Sequence, residues 1–179
     1  RAGIQHALKL GKFVYLGFWD ADLATPLDQI PEFIRLASER QKAMVSGCRL
    51  LRLGADIRRK PQRHYIGRIF ATLASAVLKL PVYDTQCGAK LFDTAYAAAG
   101  FADAFKTKWL FDVEIIARLI IRFGYQNVRA KAYEYPLPSW QDVGGSRLKP
   151  KDFLKAPYQL FLIWNSYGPG LNQQIKSSN

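Results

Sequence analysis

Apolar positions along the chain follow two rhythms, and their alternation marks out the elements. Residues 13–19, "FVYLGFW", form an unbroken apolar run. Such a run predicts a strand buried on both faces, leaving its sheet where Asp20 begins a polar turn. Ahead of it, "RAGIQHALKLG" reads as an amphipathic helix over 1–10 that Gly11 stops. In "ATPLDQIPEFIRLASER", Thr25, Pro26 and Pro31 are helix-start signals, followed by Phe33, Ile34 and Ala37 at helical spacing. "AMVSGC" (43–48) predicts a second core strand, and 49–63 a basic loop. Pro61 opens a helix with Ile66, Phe70, Leu73 and Val77 on one face, closed by Pro81. "CGAKLF" (87–92) predicts a strand, and "WLFDVEIIARLIIRFG" (109–124) a helix ending at Gly124. "NVRAKAYEYPLP" (127–138) predicts a strand stopped by prolines. Strands thus alternate with helices, which predicts an α/β sandwich on a mostly parallel central sheet flanked by helices.

Charge changes the picture next. Among 179 residues, 26 lysines and arginines stand against 14 acids, a formal +12. That excess points to an anionic partner: nucleic acid, a phosphorylated substrate or anionic lipid. A merely solvated basic surface is the alternative. Cys48 and Cys87 lack the spacing of a metal site or disulfide framework and read as buried thiols of a reducing compartment. No window holds about 18 uninterrupted apolar residues, so no membrane span is expected. Because Arg1 falls in mid-pattern, upstream sequence is expected to be missing.

Candidate chemistry concentrates in a few places. Asp20 and Asp22 sit where a strand leaves the sheet, and open α/β sheets bind ligands at the carboxyl ends of their strands. Two carboxylates so close suit a hard cation such as Mg²⁺ or Mn²⁺; a helix cap beside a solvated acid explains them as well. Arg49, Arg58, Arg59 and Arg63 follow the next strand, and Arg147 lies in the glycine-rich "VGGSRLKP". Arginine's planar fork suits phosphate, so acids and arginines together describe a diphosphate site. Asp84 and Gln86 precede a glycine and read as site residues or turn formers; Asp112 and Glu114 read as site residues or helix-start acids. His6 and His64 have no partner at ligand or triad spacing.

With "DADLATPLDQIP", "SGCR", "RKPQR", "DTQCGAKLF", "WLFDVEI" and "GGSRL" in this order, the chain resembles the family 2 glycosyltransferases. Within them it is most similar to the branch acting on polyprenyl phosphates. The resemblance implies a GT-A fold and inverting transfer of a hexose from a UDP- or GDP-linked donor. It implies Mg²⁺ or Mn²⁺ on Asp20 and Asp22, and phosphate binding by Arg49, Arg63, Ser146 and Arg147. Asp84, Asp112 and Arg147 take catalytic positions; Gln86, Trp109 and Glu114 fall on the acceptor or sugar side. Cys48 departs from the serine usual before the matching arginine. The family's opening nucleotide-binding βα units, usually written near "PAYNE", have no counterpart here.

The expected organisation is a catalytic portion over 1–150 and an amphipathic segment over 151–179. "LKPKDFLKAPYQLFLIWNSYG" mixes lysines with aromatic and aliphatic residues, which suits a helix lying in a membrane interface or one packed on the core. The resulting expectation is a peripheral enzyme at the cytoplasmic face of a membrane, with a nucleotide-sugar donor and a polyprenyl-phosphate acceptor. A soluble acceptor is the near alternative. A nucleic-acid partner is not expected, since no binding motif is found and the aromatics fall in core-like patterns.

Overall fold

A computed structural model describes residues 1–59, 61–142 and 150–176, the side chains of Pro61, Arg63 and residues 150–154 excepted. Four strands form the main sheet: β1 (Tyr15–Trp19), β2 (Met44–Cys48), β4 (Ala89–Asp93) and β5 (Ala132–Pro136), in the order β1-β4-β2-β5. β4 pairs antiparallel with both β1 and β2, and β2 pairs parallel with β5. The predicted mostly parallel sheet is therefore mixed. β1, β2 and β5 run one way, and β4 enters between two of them in the opposite sense. Their carboxyl ends thus share one edge with the start of β4, and the loops carrying Asp20, Arg49 and Asp84 converge there.

Side chains along the strands alternate between two apolar clusters. One gathers Leu16, Met44 and Phe92 with Val113, Ile116, Ile120 and Ile163. The other gathers Val45, Ala89 and Leu91 with Phe33, Leu36, Leu137 and Trp140. The first is covered by α3 (Pro61–Leu78), α5 (Phe111–Phe123) and α7 (Pro150–Lys176), the second by α2 (Ile30–Glu39). All five residues of β2 are buried, as predicted for a core strand. Gly47 has no side chain there because a Cβ would lie 2.8 Å from the Cys87 sulfur. α5 is enclosed on most sides, burying Val113, Ile115, Ile116, Leu119 and Ile120 together with Asp112 and Glu114, each of which has a cationic partner.

Several expectations are corrected. Phe13 and Val14 precede β1 and are exposed, and β1 is only partly covered, so the opening run is not buried on both faces. The basic loop 49–63 contains β3 (Asp56–Arg58), which pairs parallel with β6 (Ser139–Gln141). The 127–138 segment divides into α6 (Tyr125–Lys131) and β5, since Gly124, at φ 88°, ends α5 and lets the chain start again as helix. The short helix α4 (Thr94–Gly100) was not anticipated; Asp93 caps it by accepting from the Tyr96 amide at 2.7 Å. α1 (Ala2–Leu10) ends at Gly11 in the left-handed conformation, as expected. α7 places Leu160, Ile163 and Leu171 in the same core as α5, so this helix shares the core of the preceding elements.

Glu114 of α5 is fully buried and holds the α4–α5 connection. Its carboxylate accepts from the Thr107 amide and hydroxyl, both at 2.6 Å, the Lys106 amide at 3.0 Å and the Tyr167 hydroxyl at 3.1 Å. Arg118, one turn on, pairs with it at 3.5 Å and donates to the carbonyls of Gly100, Asp103 and Ala104. Glu114→Ala orphans these donors and is expected to destabilise the fold by about 3–5 kcal/mol. Urea unfolding measures this; a variant with an unchanged midpoint would contradict the anchoring role.

Candidate active site

The convergent loops enclose a cavity of about 250 Å³ whose lining includes Asp20, Asp22, Arg49, Asp84, Gln86, Trp109 and Asp112. Sequence elements far apart in the chain thus meet where the strand order predicts.

Asp20 follows β1 directly, and its amide continues the β1–β4 pairing by donating to the Gly88 carbonyl at 2.8 Å. The turn closes when Leu23 donates to the Asp20 carbonyl and Asp22 accepts from the Ala24 amide at 3.0 Å. Burial, then the neighbouring Asp22 charge, pushes the Asp20 carboxyl above the usual range, against the pull of Lys90 and Arg49. Gly88 makes the seat possible: a Cβ there would lie 1.8 Å from an Asp20 carboxylate oxygen.

Asp84 lies in the connection between α3 and β4. Its Oδ2 accepts from the Arg49 Nε at 2.7 Å and the Arg49 amide at 3.1 Å; its Oδ1 accepts from Arg49 Nη2 at 2.8 Å and the Gln86 amide at 3.2 Å. These donors fill the carboxylate's lone pairs. Burial opposes the Asp84 charge, but the Arg49 guanidinium outweighs it and holds the carboxyl at about 2. Glu134 of β5 fixes the same loop from behind, accepting from the Tyr83 and Asp84 amides at 2.7 Å each. Arg49 also stacks over Trp140 at 5.2 Å.

Asp112 stands in the first turn of α5, where Leu110 and not Asp112 takes the cap position. It pairs at 2.7 Å with the Lys90 ammonium, which is enclosed in β4, donates to the Cys87 carbonyl and lies 5.6 Å from the Phe18 ring. Burial raises the Asp112 carboxyl despite that pair. The basic wall is completed by Arg59 and Arg68, and the apolar wall by Phe18, Ile66, Phe70 and Phe111. Trp109 packs its ring on Phe70 at 5.9 Å. Gln159 of α7 accepts from the Trp109 and Leu110 amides and ties this wall down.

No family model matches the chain. A dolichyl-phosphate beta-glucosyltransferase of Trichomonas vaginalis is 31% identical over 157 residues, 85% of this chain and 44% of that protein. One of Saccharomyces cerevisiae is 28% identical over 172 residues, 89% of this chain and 49% of that protein. A third, of Drosophila melanogaster, is 32% identical over 87 residues, 48% of this chain and 24% of that protein. The chain is a homologue of the dolichyl-phosphate beta-glucosyltransferases. It spans about half the length of the curated glucosyltransferases it matches most broadly.

Of the site residues expected from the resemblance to family 2 glycosyltransferases, seven line the cavity: Asp20, Asp22, Arg49, Asp84, Gln86, Trp109 and Asp112. Glu114 does not; its oxygens face the α4–α5 connection. Ser146, Arg147 and the Arg63 side chain lie outside the described residues. The expected metal donors are two carboxylates, and among the described residues no third Asp, Glu, His or Cys joins them in a cluster able to hold a metal. Such a donor set fits a hard cation that completes its shell with water and ligand oxygens. Sequence reasoning missed Lys90, Arg68, Gly88 and Glu134. The lysine in "GAKLF" was the available signal, because a charge in a core strand demands a buried partner.

Asp84→Asn leaves the Arg49 guanidinium buried against a neutral amide, with an expected loss of about 3–5 kcal/mol. Because the Asp84 carboxyl lies below its unfolded value, its contribution is complete above about pH 4 and lost as pH falls through about 2. Unfolding free energies measured from pH 6 down to 2 should lose that component in Asp84→Asn. Gly88→Ala displaces the Asp20 carboxylate toward water, so its raised pKa should fall toward the ordinary range. Carboxyl ¹³C NMR titration reads this directly, and an undisturbed Asp20 would show that the seat tolerates a methyl group.

Proposed function

We propose that the chain carries the catalytic core of a GT-A glycosyltransferase that moves a hexose from a UDP- or GDP-linked donor to a polyprenyl phosphate. The observation that carries this reading is a single cavity in which the Asp20–Asp22 pair faces arginines beside an apolar wall. The names of the homologues supply the acceptor class and the sugar-transfer chemistry.

The acceptor's own charge simplifies the mechanism. A phosphate monoester is ionised at neutral pH, so its oxygen attacks the anomeric carbon without first losing a proton. The bond from that carbon to the nucleoside diphosphate breaks, and the departing diphosphate takes the electron pair. In-line displacement of this kind inverts the anomeric centre. The protein's task is then alignment and charge stabilisation. In this reading Asp112, held by Lys90, orients the sugar or the acceptor. Asp84 fixes the orientation of the Arg49 guanidinium at the cavity wall. Asp20 and Asp22 would hold Mg²⁺ or Mn²⁺, which when bound neutralises diphosphate charge.

The outer surface supports a membrane position. Ile66 lines the cavity, and beyond it on α3 the side chains of Tyr65, Ile69 and Leu73 are exposed. α7 packs on α3 and exposes Tyr158, Phe161 and Trp164. No helix among the described residues is long and apolar enough to cross a membrane. These apolar side chains suit the interface of a bilayer, at its cytoplasmic face where nucleotide-sugars are available.

The test offers the full-length protein labelled UDP- and GDP-hexoses, Mg²⁺ or Mn²⁺, and either a polyprenyl phosphate in vesicles or a soluble sugar. Label is expected on the lipid phosphate only, and Asp22→Ala should lower transfer at least about 100-fold. Transfer solely to the soluble sugar would replace the acceptor assignment, and an unimpaired Asp22→Ala would remove the metal one.

A further inference from the structure

The cavity lining contains buried polar groups that the folded chain leaves unmatched among the described residues: the Thr85 hydroxyl and two nitrogen donors, one on Arg68 and one on Gln86. Arg68, on the α3 wall, stacks its guanidinium on the Tyr83 ring at 3.7 Å. Its Nη1 is buried with no hydrogen-bond partner among the described residues, and the same holds for Nε2 of Gln86. Buried polar groups are nearly always paired, and an orphaned donor destabilises the fold unless a ligand or water meets it. Two donors in one cavity call for an acceptor with several oxygens.

The other charges narrow the choice. Arg49, the arginine first expected at the phosphates, already gives Nε and Nη2 to Asp84. Lys90 is paired with Asp112. Stacking on Tyr83 fixes the plane of the Arg68 fork, so little conformational freedom is lost when it closes on two oxygens.

We propose that Arg68 and Gln86 form the cavity's oxyanion subsite, in which the planar fork of Arg68 and the Gln86 side-chain amide donate hydrogen bonds to the oxygens of a phosphoryl group. This rests on the reading that the cavity takes phosphorylated ligands. The phosphoryl group has two possible sources, the donor's diphosphate and the acceptor's phosphate monoester, and both present the same oxygens.

The test titrates the full chain with inorganic pyrophosphate, UDP, GDP and a short water-soluble prenyl phosphate, following quenching of Trp109 and Trp140, which both line the cavity. Arg68→Gln is expected to weaken binding roughly tenfold or more, and Arg68→Lys to recover part of it, since a lysine keeps the charge but not the fork. Gln86→Leu should cost a smaller factor. Arg35→Gln, which removes the same charge from an exposed position on α2, should leave binding unchanged. Thermal unfolding of each variant separates lost binding from lost fold. If the loss is confined to prenyl phosphate, the subsite serves the acceptor; if confined to pyrophosphate and the nucleotides, it serves the donor. Wild-type binding that survives in a folded Arg68→Gln overturns the subsite alone, as does equal weakening in Arg35→Gln. A wild-type chain that binds none of the four probes overturns the phosphorylated-ligand reading and the subsite with it.

Discussion

The buried pair of Arg49 and Asp84 is the constraint on which the site depends. It joins the end of β2 to the loop ahead of β4, and Glu134 ties that loop to β5. Three segments distant in sequence are thereby held at one edge of the sheet. Desolvation makes such a pair expensive to form and more expensive to break, since either partner left alone is a buried charge. The geometry of the cavity floor is thus linked to folding itself. Its groups are oriented before any ligand arrives, which is the condition for electrostatic catalysis.

Lys90 does the same for the opposite wall by a different route. It stands in β4 opposite Phe18 in β1, on the face that α5 covers, and its ammonium reaches the first turn of that helix. The sheet therefore sets the position of Asp112, although Asp112 belongs to a helix. Where Arg49 and Asp84 join loops, Lys90 joins layers.

Much of this was legible in the sequence, and the rest has a physical reason for being hidden. Local signals placed β2, α2, α3 and α5, because proline, glycine and apolar spacing act within a few residues. The sense of β4 was not legible: pairing direction is decided by neighbours distant in the chain. β1 misled because aromatic residues at 13 and 18 look alike in a pattern, while only Phe18 packs in the core. Asp20, Asp22 and Asp112 were found as carboxylates near predicted strand or helix ends. The pairing of Arg49 with Asp84 could not be read, because an arginine's partner depends on the fold and not on its neighbours in sequence. The same applies to Arg68, which resembled any other basic residue on a helix until Tyr83 was seen beneath it.

Gly47 and Cys87 share one small volume between β2 and the loop that ends at β4. The size of one position is therefore set by the size of the other. A methyl group at 47 is accommodated only where 87 has given up its sulfur, and a larger residue at 87 demands that 47 stay bare. In a lineage of related chains the two should change in concert, as a conserved sum of volumes and not as two conserved letters. Cys87 is thereby an occupant of space as well as a thiol.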